Sequence, residues 1–277
     1  MNKDFVLNTK NNNKIRITSY GYENLRLAQC LIFVHGFKGF KDWGFWPYSG
    51  NYFAERGFFV LTFNFSHNGV GDSLTEFTEL DKFAENTFSL ELEELNEVID
   101  AYLNNFFGKI DNQKIGLIGH SRGGGDVLIV SSRRNEINAV VLWASVANFN
   151  RYSARQANEW RKNGFFEVLN SRTNQMMRLN VSLLEDIEKN KDDLLNLKKA
   201  AENLNKPMLI VHGEQDLSVP IKEGEQIFSW SIKELTEFQK IRATGHTFDV
   251  THPFESSNRK FDSVLEYSLN FFSKNLN

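Results

Sequence analysis

The chain has 277 residues, 41% of them hydrophobic, enough to bury a sizeable core, and α/β folds of this length often form one domain. Its 32 basic and 35 acidic side chains leave a formal net charge of −3, which gives no electrostatic case for nucleic acid or an anionic membrane surface as a partner. A single cysteine, Cys30, excludes an internal disulfide, and no apolar segment approaches the ~20 residues that span a bilayer.

The opening residues, Met1 to Asn8, lack the apolar run of a secretory signal, so a soluble cytoplasmic protein is expected. Short apolar runs then alternate with longer amphipathic stretches, the pattern of βαβ units on a parallel sheet. The runs predict strands over 14–18, 30–35, 58–64, 114–119, 139–144, 208–212 and 237–241. Several are almost wholly apolar, as strands covered by helices on both faces are, and Cys30 reads as a buried strand position. The stretch 88–106 sets Leu92, Leu95, Val98, Ile99 and Leu103 at helical spacing. Helices are also expected after Ser121, after Ile221 and over 261–272. From 148 to about 205 no strand-like run stands out, and Arg, Asn, Gln, Glu and Lys dominate with scattered aromatics. A plain crossover needs far fewer residues, so this segment is expected to be a helical cap insertion in a single domain spanning 1–277.

Gly119-His120-Ser121-Arg122-Gly123 has the form Gly-x-Ser-x-Gly, a pattern that chance can supply. Its setting is more specific: the apolar strand Ile115-Gly-Leu-Ile118 runs into Gly119, and a helix-compatible stretch follows Ser121. Strand, tight turn and helix make a nucleophile elbow, in which the helix N-terminus faces developing negative charge. A phosphate-binding loop is the competing reading, but Gly-His-Ser-Arg-Gly-Gly-Gly lacks the Gly-Lys-Ser/Thr ending and the dinucleotide spacing. Upstream, His35-Gly36-Phe37-Lys38-Gly39 follows the strand 30–35 and can supply a backbone N–H on the far side of a reacting carbonyl. The expected oxyanion donors are the amides of Phe37 and Arg122, with Gly36 allowing close backbone approach. His35 is expected to brace the loop.

A serine hydroxyl needs an imidazole to take its proton, and the imidazole needs a carboxylate to fix its tautomer. In the chain order Ser, Asp or Glu, His, Val211-His212-Gly213-Glu214-Gln215-Asp216 offers Asp216, with Glu214 close enough to compete. Of the six histidines, only His246 and His252 follow. His246 sits in a glycine-preceded loop, whereas His252 precedes Pro253 and is held extended, so His246 is the favoured base. His120 is expected to pack or cap locally. No His-x-x-x-His or cysteine pair suggests a metal, and nothing implies a cofactor.

Four segments, His35-Gly-Phe-Lys-Gly, Gly119-His-Ser-Arg-Gly-Gly, His212-Gly-Glu-Gln-Asp-Leu-Ser-Val-Pro and Gly245-His246, resemble the α/β-hydrolase superfamily. The resemblance implies an α/β-hydrolase fold, a mostly parallel central sheet flanked by helices, with Ser121, Asp216 and His246 as triad and Phe37 and Arg122 as oxyanion donors. The His-Gly-Phe loop and Gly245–Phe254 are similar to those of dienelactone-hydrolase-related and cinnamoyl-esterase-like serine esterases. Two departures stand out. Ser121 occupies the place of the dienelactone hydrolases' cysteine, and Phe65-Ser-His-Asn-Gly-Val-Gly-Asp-Ser73 replaces the Arg-Gly-x-Gly-x-Ser of many relatives.

The expected chemistry is hydrolysis of a small-molecule ester through an acyl-enzyme. Thioesterase, peptidase or acyltransferase activity on the same triad, and ligand binding on a lapsed hydrolase fold, are the alternatives. Phe40, Trp43, Phe45, Trp46, Trp160, Phe165, Phe166, Met176 and Met177 fit either an apolar pocket or the core. Arg151, Arg155, Arg161, Arg172 and Arg178 fit either carboxylate recognition or solvated helix faces.

Overall fold

The computed structural model of the chain describes residues 1–73, 76–171 and 173–276. Among these, ten strands run in chain order: β1 (Lys3–Asn8), β2 (Lys14–Tyr20), β3 (Cys30–Val34), β4 (Phe59–Asn64), β5 (Ile115–His120), β6 (Ile137–Trp143), β7 (Phe165–Asn170), β8 (Gln175–Asn180), β9 (Met208–Gly213) and β10 (Thr236–Ile241). Eight form one sheet in the order β1-β2-β4-β3-β5-β6-β9-β10. The β1–β2 and β2–β4 pairs are antiparallel, and every later pair is parallel. All seven strands expected from apolar runs are present. β1 was not expected: as an edge strand with alternating half-burial, it has no continuous apolar run to signal it.

The helices are α1 (Trp46–Ala54), α2 (Leu80–Glu85), α3 (Phe88–Leu103), α4 (Arg122–Arg133), α5 (Ala154–Asn163), α6 (Val181–Asn190), α7 (Leu197–Asn203), α8 (Ile221–Trp230) and α9 (Arg259–Asn275). They cover both faces of the sheet. A Cβ on Gly116 would strike Phe272 of α9, while one on Gly119 would strike Gly123 of α4; positions an odd number apart on a strand face opposite ways. On one face α3, α4, α7 and α8 pack in succession. Strands β3, β4 and β5 are buried along their whole length, as their apolar sequences require, and Cys30 is buried as expected.

The segment between β6 and β9 corrects the helical expectation in part. It holds α5, α6 and α7, but also the antiparallel hairpin β7–β8. The hairpin escaped notice because its burial is one-sided and its strands are diluted by Glu167, Asn170, Gln175, Arg178 and Asn180, residue types depleted in or indifferent to strands. Gly164 at φ 78° ends α5 in the left-handed conformation, which only glycine adopts without cost, and the hairpin starts at the next residue. β8 docks on α2 and α6 on α3, whereas α7 packs on α4 and so belongs to the helical layer. No described helix is long and apolar enough to cross a membrane.

Candidate active site

Ser121 is the N-cap of α4, at φ 58° and ψ −122°, a sparsely populated conformation for a residue with a side chain. Its N–H donates to the Trp143 carbonyl at 2.9 Å, and its carbonyl accepts from Gly124 at 3.1 Å and Val146 at 3.2 Å. A Cβ on Gly119 would lie 2.3 Å from the Gly123 carbonyl oxygen, so the tight turn cannot tolerate a side chain there. These contacts hold the backbone turned while the Ser121 hydroxyl, hydrogen-bonded to no described residue, faces a cavity of about 620 Å³.

The loop after β9 buries Asp216. Its Oδ1 accepts from the Ser218 and Val219 amides at 2.9 and 2.8 Å. Its Oδ2 accepts from His246 Nδ1 at 2.7 Å, with His212 Nε2 at 3.5 Å. Burial works to raise this carboxyl, but hydrogen bonds from His212 and His246, the His246 charge and the Val219 amide outweigh it and hold the group below the ordinary carboxylate range. The bond fixes the His246 tautomer with its proton on Nδ1, leaving Nε2 as a base. His246 lines the same cavity as Ser121. Glu214, the competing acid, is exposed. His252, the competing base, accepts from the Gly44 amide at 3.0 Å and packs against Phe40 and Trp43.

His120 does more than cap locally. Its Nε2–H donates to the His246 carbonyl at 2.9 Å, and its ring centroid lies 4.6 Å from that of His246. Burial, with the charge of His246, pushes His120 down to about 3, so it stays neutral. The residue beside the serine therefore anchors the loop of the candidate base. No motif signals this, because the partner comes from a distant part of the chain.

The loop after β3 closes the third side. A Cβ on Gly36 would sit 2.9 Å from both Ser121 Cβ and the His120 carbonyl, and 3.4 Å from the Arg122 amide, so its glycine sets how near the loop comes. The Phe37 and Arg122 amides donate to no other described group, and Arg122 is the first residue of α4, where the N–H has no helical acceptor. His35 braces the loop: Nδ1–H donates to the Gly36 carbonyl at 3.0 Å and Nε2 accepts from the Phe65 amide at 3.4 Å. Burial pushes its ring down to about 4. The Arg122 guanidinium pairs with buried Glu91 and lies over the Phe37 and Phe88 rings.

The remaining aromatics and arginines divide. Phe40, Phe45, Trp160 and Met177 are core, while Trp43 and Trp46 edge the cavity, joined by Phe88, Phe149 and Tyr152. Met176 is exposed, and Phe165 and Phe166 are half-buried. Arg155, Arg161 and Arg178 pair with Glu159, Glu188 and Glu167 on the surface. Arg151 reaches the cavity while paired with Glu223, and Arg172 lies outside the described residues. Asn170 and Ser171 at the hairpin turn also line the cavity; sequence reasoning missed them because nothing local marks them. Among the described residues no group of three His, Cys, Asp or Glu is placed to hold a metal.

A mostly parallel eight-stranded sheet with a strained serine at a strand–helix turn is the architecture of the α/β-hydrolase superfamily. Residues 44–277 match the model of the prolyl oligopeptidase family, and the chain belongs to that family. The match begins beyond the loop 35–39. The chain is 30% identical over 143 residues to an uncharacterised 31.7 kDa protein from the traX-finO intergenic region of Escherichia coli, covering 50% of this chain and 45% of that protein, so it spans about half the relative's length. In fold it is similar to the α/β hydrolase GrgF from Penicillium sp. sh18 (TM-score 0.76, 16% identity, covering 100% and 99% of the two chains). It is also similar to Est1E from Butyrivibrio proteoclasticus, solved with ferulic acid bound (TM-score 0.73, 17% identity, 98% of each chain).

Proposed function

We propose that the chain hydrolyses carboxylic esters of small molecules through an acyl-enzyme, with Ser121 as nucleophile, His246 as general base and acid, and Asp216 orienting the imidazole. The observation that carries this is the 2.7 Å bond from His246 Nδ1 to Asp216, on a cavity also lined by Ser121, Phe37 and Arg122, whose hydroxyl and two amides are hydrogen-bonded to no described residue. In this reading His246 Nε2 takes the Ser121 proton as Oγ attacks the ester carbonyl. The imidazolium that forms is stabilised by ionised Asp216, and the negative charge on the former carbonyl oxygen is met by the two amides, each worth about 10²–10³ in rate. His246 then returns the proton to the leaving alkoxide, and water repeats the sequence to release the acid and restore Ser121.

A cavity of about 620 Å³ lies within the range of about 300–1,000 Å³ usual for small ligands, and the rings of Trp43, Phe88, Phe149 and Tyr152 on its walls support an apolar or aryl acyl group. The segment 148–205 serves as the cap, since Phe149, Tyr152, Asn170 and Ser171 all reach the cavity from it. The buried free thiol of Cys30 fits a cytoplasmic setting. Family membership favours one second reading, cleavage of a peptide bond on the same three residues.

Purified protein is expected to take a fluorophosphonate label at Ser121 and to hydrolyse short p-nitrophenyl esters faster than thioesters or prolyl anilides, with both properties lost in Ser121→Ala. Faster cleavage of the anilide would transfer the proposal to peptides. Hydrolysis that survives Ser121→Ala would remove Ser121 as the nucleophile.

A further inference from the structure

Beneath the oxyanion loop lies a second set of ionisable groups that the proposed reaction does not touch. The Arg122 guanidinium donates to Glu91 Oε1 on α3, and Asn86 Nδ2 donates to the same oxygen at 2.8 Å. One turn along α4 from Arg122, the Asp126 carboxyl comes within hydrogen-bonding reach of Glu91. Asp126 is 0% exposed and Glu91 1%. Yet among the described residues neither Asp126 oxygen nor Glu91 Oε2 meets any donor. Two interacting carboxyl groups are thus buried away from water, with three oxygens left without a donor.

The surrounding charges do not relieve this. Glu94, also on α3, is taken up by Ser66, and Asp186 on α6 by Ser89 and Asn190. His35 is neutral, lowered by burial and by the Arg122 charge, and Tyr152 feels the Arg122 and Arg151 charges, not those of the two acids. One cation therefore faces two acids with further carboxylates behind them. Both acids ionised would leave a buried carboxylate repelled by its neighbour and solvated by nothing. One proton removes both defects, since an O–H on Asp126 supplies the donor that Glu91 Oε2 lacks and leaves a single negative charge for Arg122 to balance.

We propose that Asp126 and Glu91 share one proton at neutral pH, Asp126 donating to Glu91 Oε2, and that this pair positions Arg122 and with it the oxyanion side of the site. Asp126 is a positioning residue: it touches Glu91, Glu91 holds the guanidinium, and the guanidinium lies over Phe37. Arg122 and Phe37 carry the two amides assigned to the oxyanion, so this half of the inference rests on the proposed function, while the shared proton does not. Burial, then the Glu91 charge, drives Asp126 well above the ordinary carboxylate range, and burial raises Glu91 as well.

The proton is read by infrared difference spectroscopy on the full chain at pH 7, wild type against Asp126→Asn. The wild type is expected to show the carbonyl stretch of a protonated carboxylic acid, sensitive to deuterium exchange and lost in the variant. No such band in the difference would mean that both acids are ionised and would overturn the inference, whatever the enzyme hydrolyses. Positioning is read by kinetics. Asp126→Asn, whose amide also donates to Glu91, is expected to keep kcat within about threefold. Asp126→Leu, which cannot donate, is expected to lose about tenfold in kcat at little-changed KM, less than the 10²–10³ of a deleted oxyanion donor. A folded leucine variant with unaltered kcat would end the positioning role. If the leucine variant does not fold, Asp126→Asn decides alone, because a tenfold loss there would show that donation to Glu91 is not what counts.

Discussion

His246 and His252 are close in sequence and of the same chemistry, and their partners separate them. His246 places Nδ1 on buried Asp216 and shares a cavity with Ser121. His252 spends its Nδ1 lone pair on the Gly44 amide and packs its ring on Phe40 and Trp43. His246→Ala is therefore expected to lower kcat on an ester substrate by about 10³-fold or more, and His252→Ala by less than about tenfold through the loop it braces. Comparable losses in the two variants would reassign the base. Much of this site was legible in the sequence because acyl transfer demands a serine at a turn, an acid and a histidine in a fixed order. What the order rule could not supply was burial, which separates Asp216 from Glu214, or the reach of His120 to the His246 carbonyl, since those two partners meet only when their strands lie in one sheet.

At the scale of elements, legibility followed burial pattern. Strands β3, β4, β5, β6 and β9 announce themselves because both faces are covered and their residues are mostly apolar. The β7–β8 hairpin does not, since only Met177, Leu179 and Asn170 among its residues are fully buried and it leans on α2 rather than on the main sheet. What holds that segment together is Trp160 of α5, 0% exposed and in ring contact with Tyr152 and Phe166 at centroid distances of 4.9 and 5.5 Å. Tyr152 in turn lines the cavity. Trp160→Ala is thus expected to cost about 3–5 kcal/mol, measured by chemical denaturation. It should also raise KM several-fold while the rate of fluorophosphonate labelling at saturation changes little, because Ser121, Asp216 and His246 follow strands β5, β9 and β10 of the main sheet and lie outside the segment. A fall in kcat with KM unmoved would show that the insertion shapes the reacting groups themselves.

Over the whole molecule, the net charge of −3 conceals carboxyl groups placed where water does not reach. Periodicity reads α3 as a helix with one apolar face, but α4 and α6 also pack against it, so Glu91 and Glu94 are buried along with Leu92, Leu95 and Val98. These acids and Asp216 affect stability in opposite senses. Asp216 is held below its ordinary range, so the stability it contributes is present above that range and lost as pH falls towards the lowered value. Glu94 is raised by burial to about 7, against an ordinary 4.5, with the Ser66 hydroxyl and amide only partly offsetting it. The folded chain therefore binds a proton that the unfolded chain has released. Its stabilising effect is complete below about pH 4.5 and declines as pH rises through about 7, by about 3 kcal/mol in total. Glu94→Gln keeps an acceptor for Ser66 and cannot ionise. Denaturation at pH 5 and pH 8 is expected to show the wild type losing clearly more stability than the glutamine variant across that interval. Parallel losses would mean that Glu94 is ionised in the folded state throughout and that Ser66 outweighs burial.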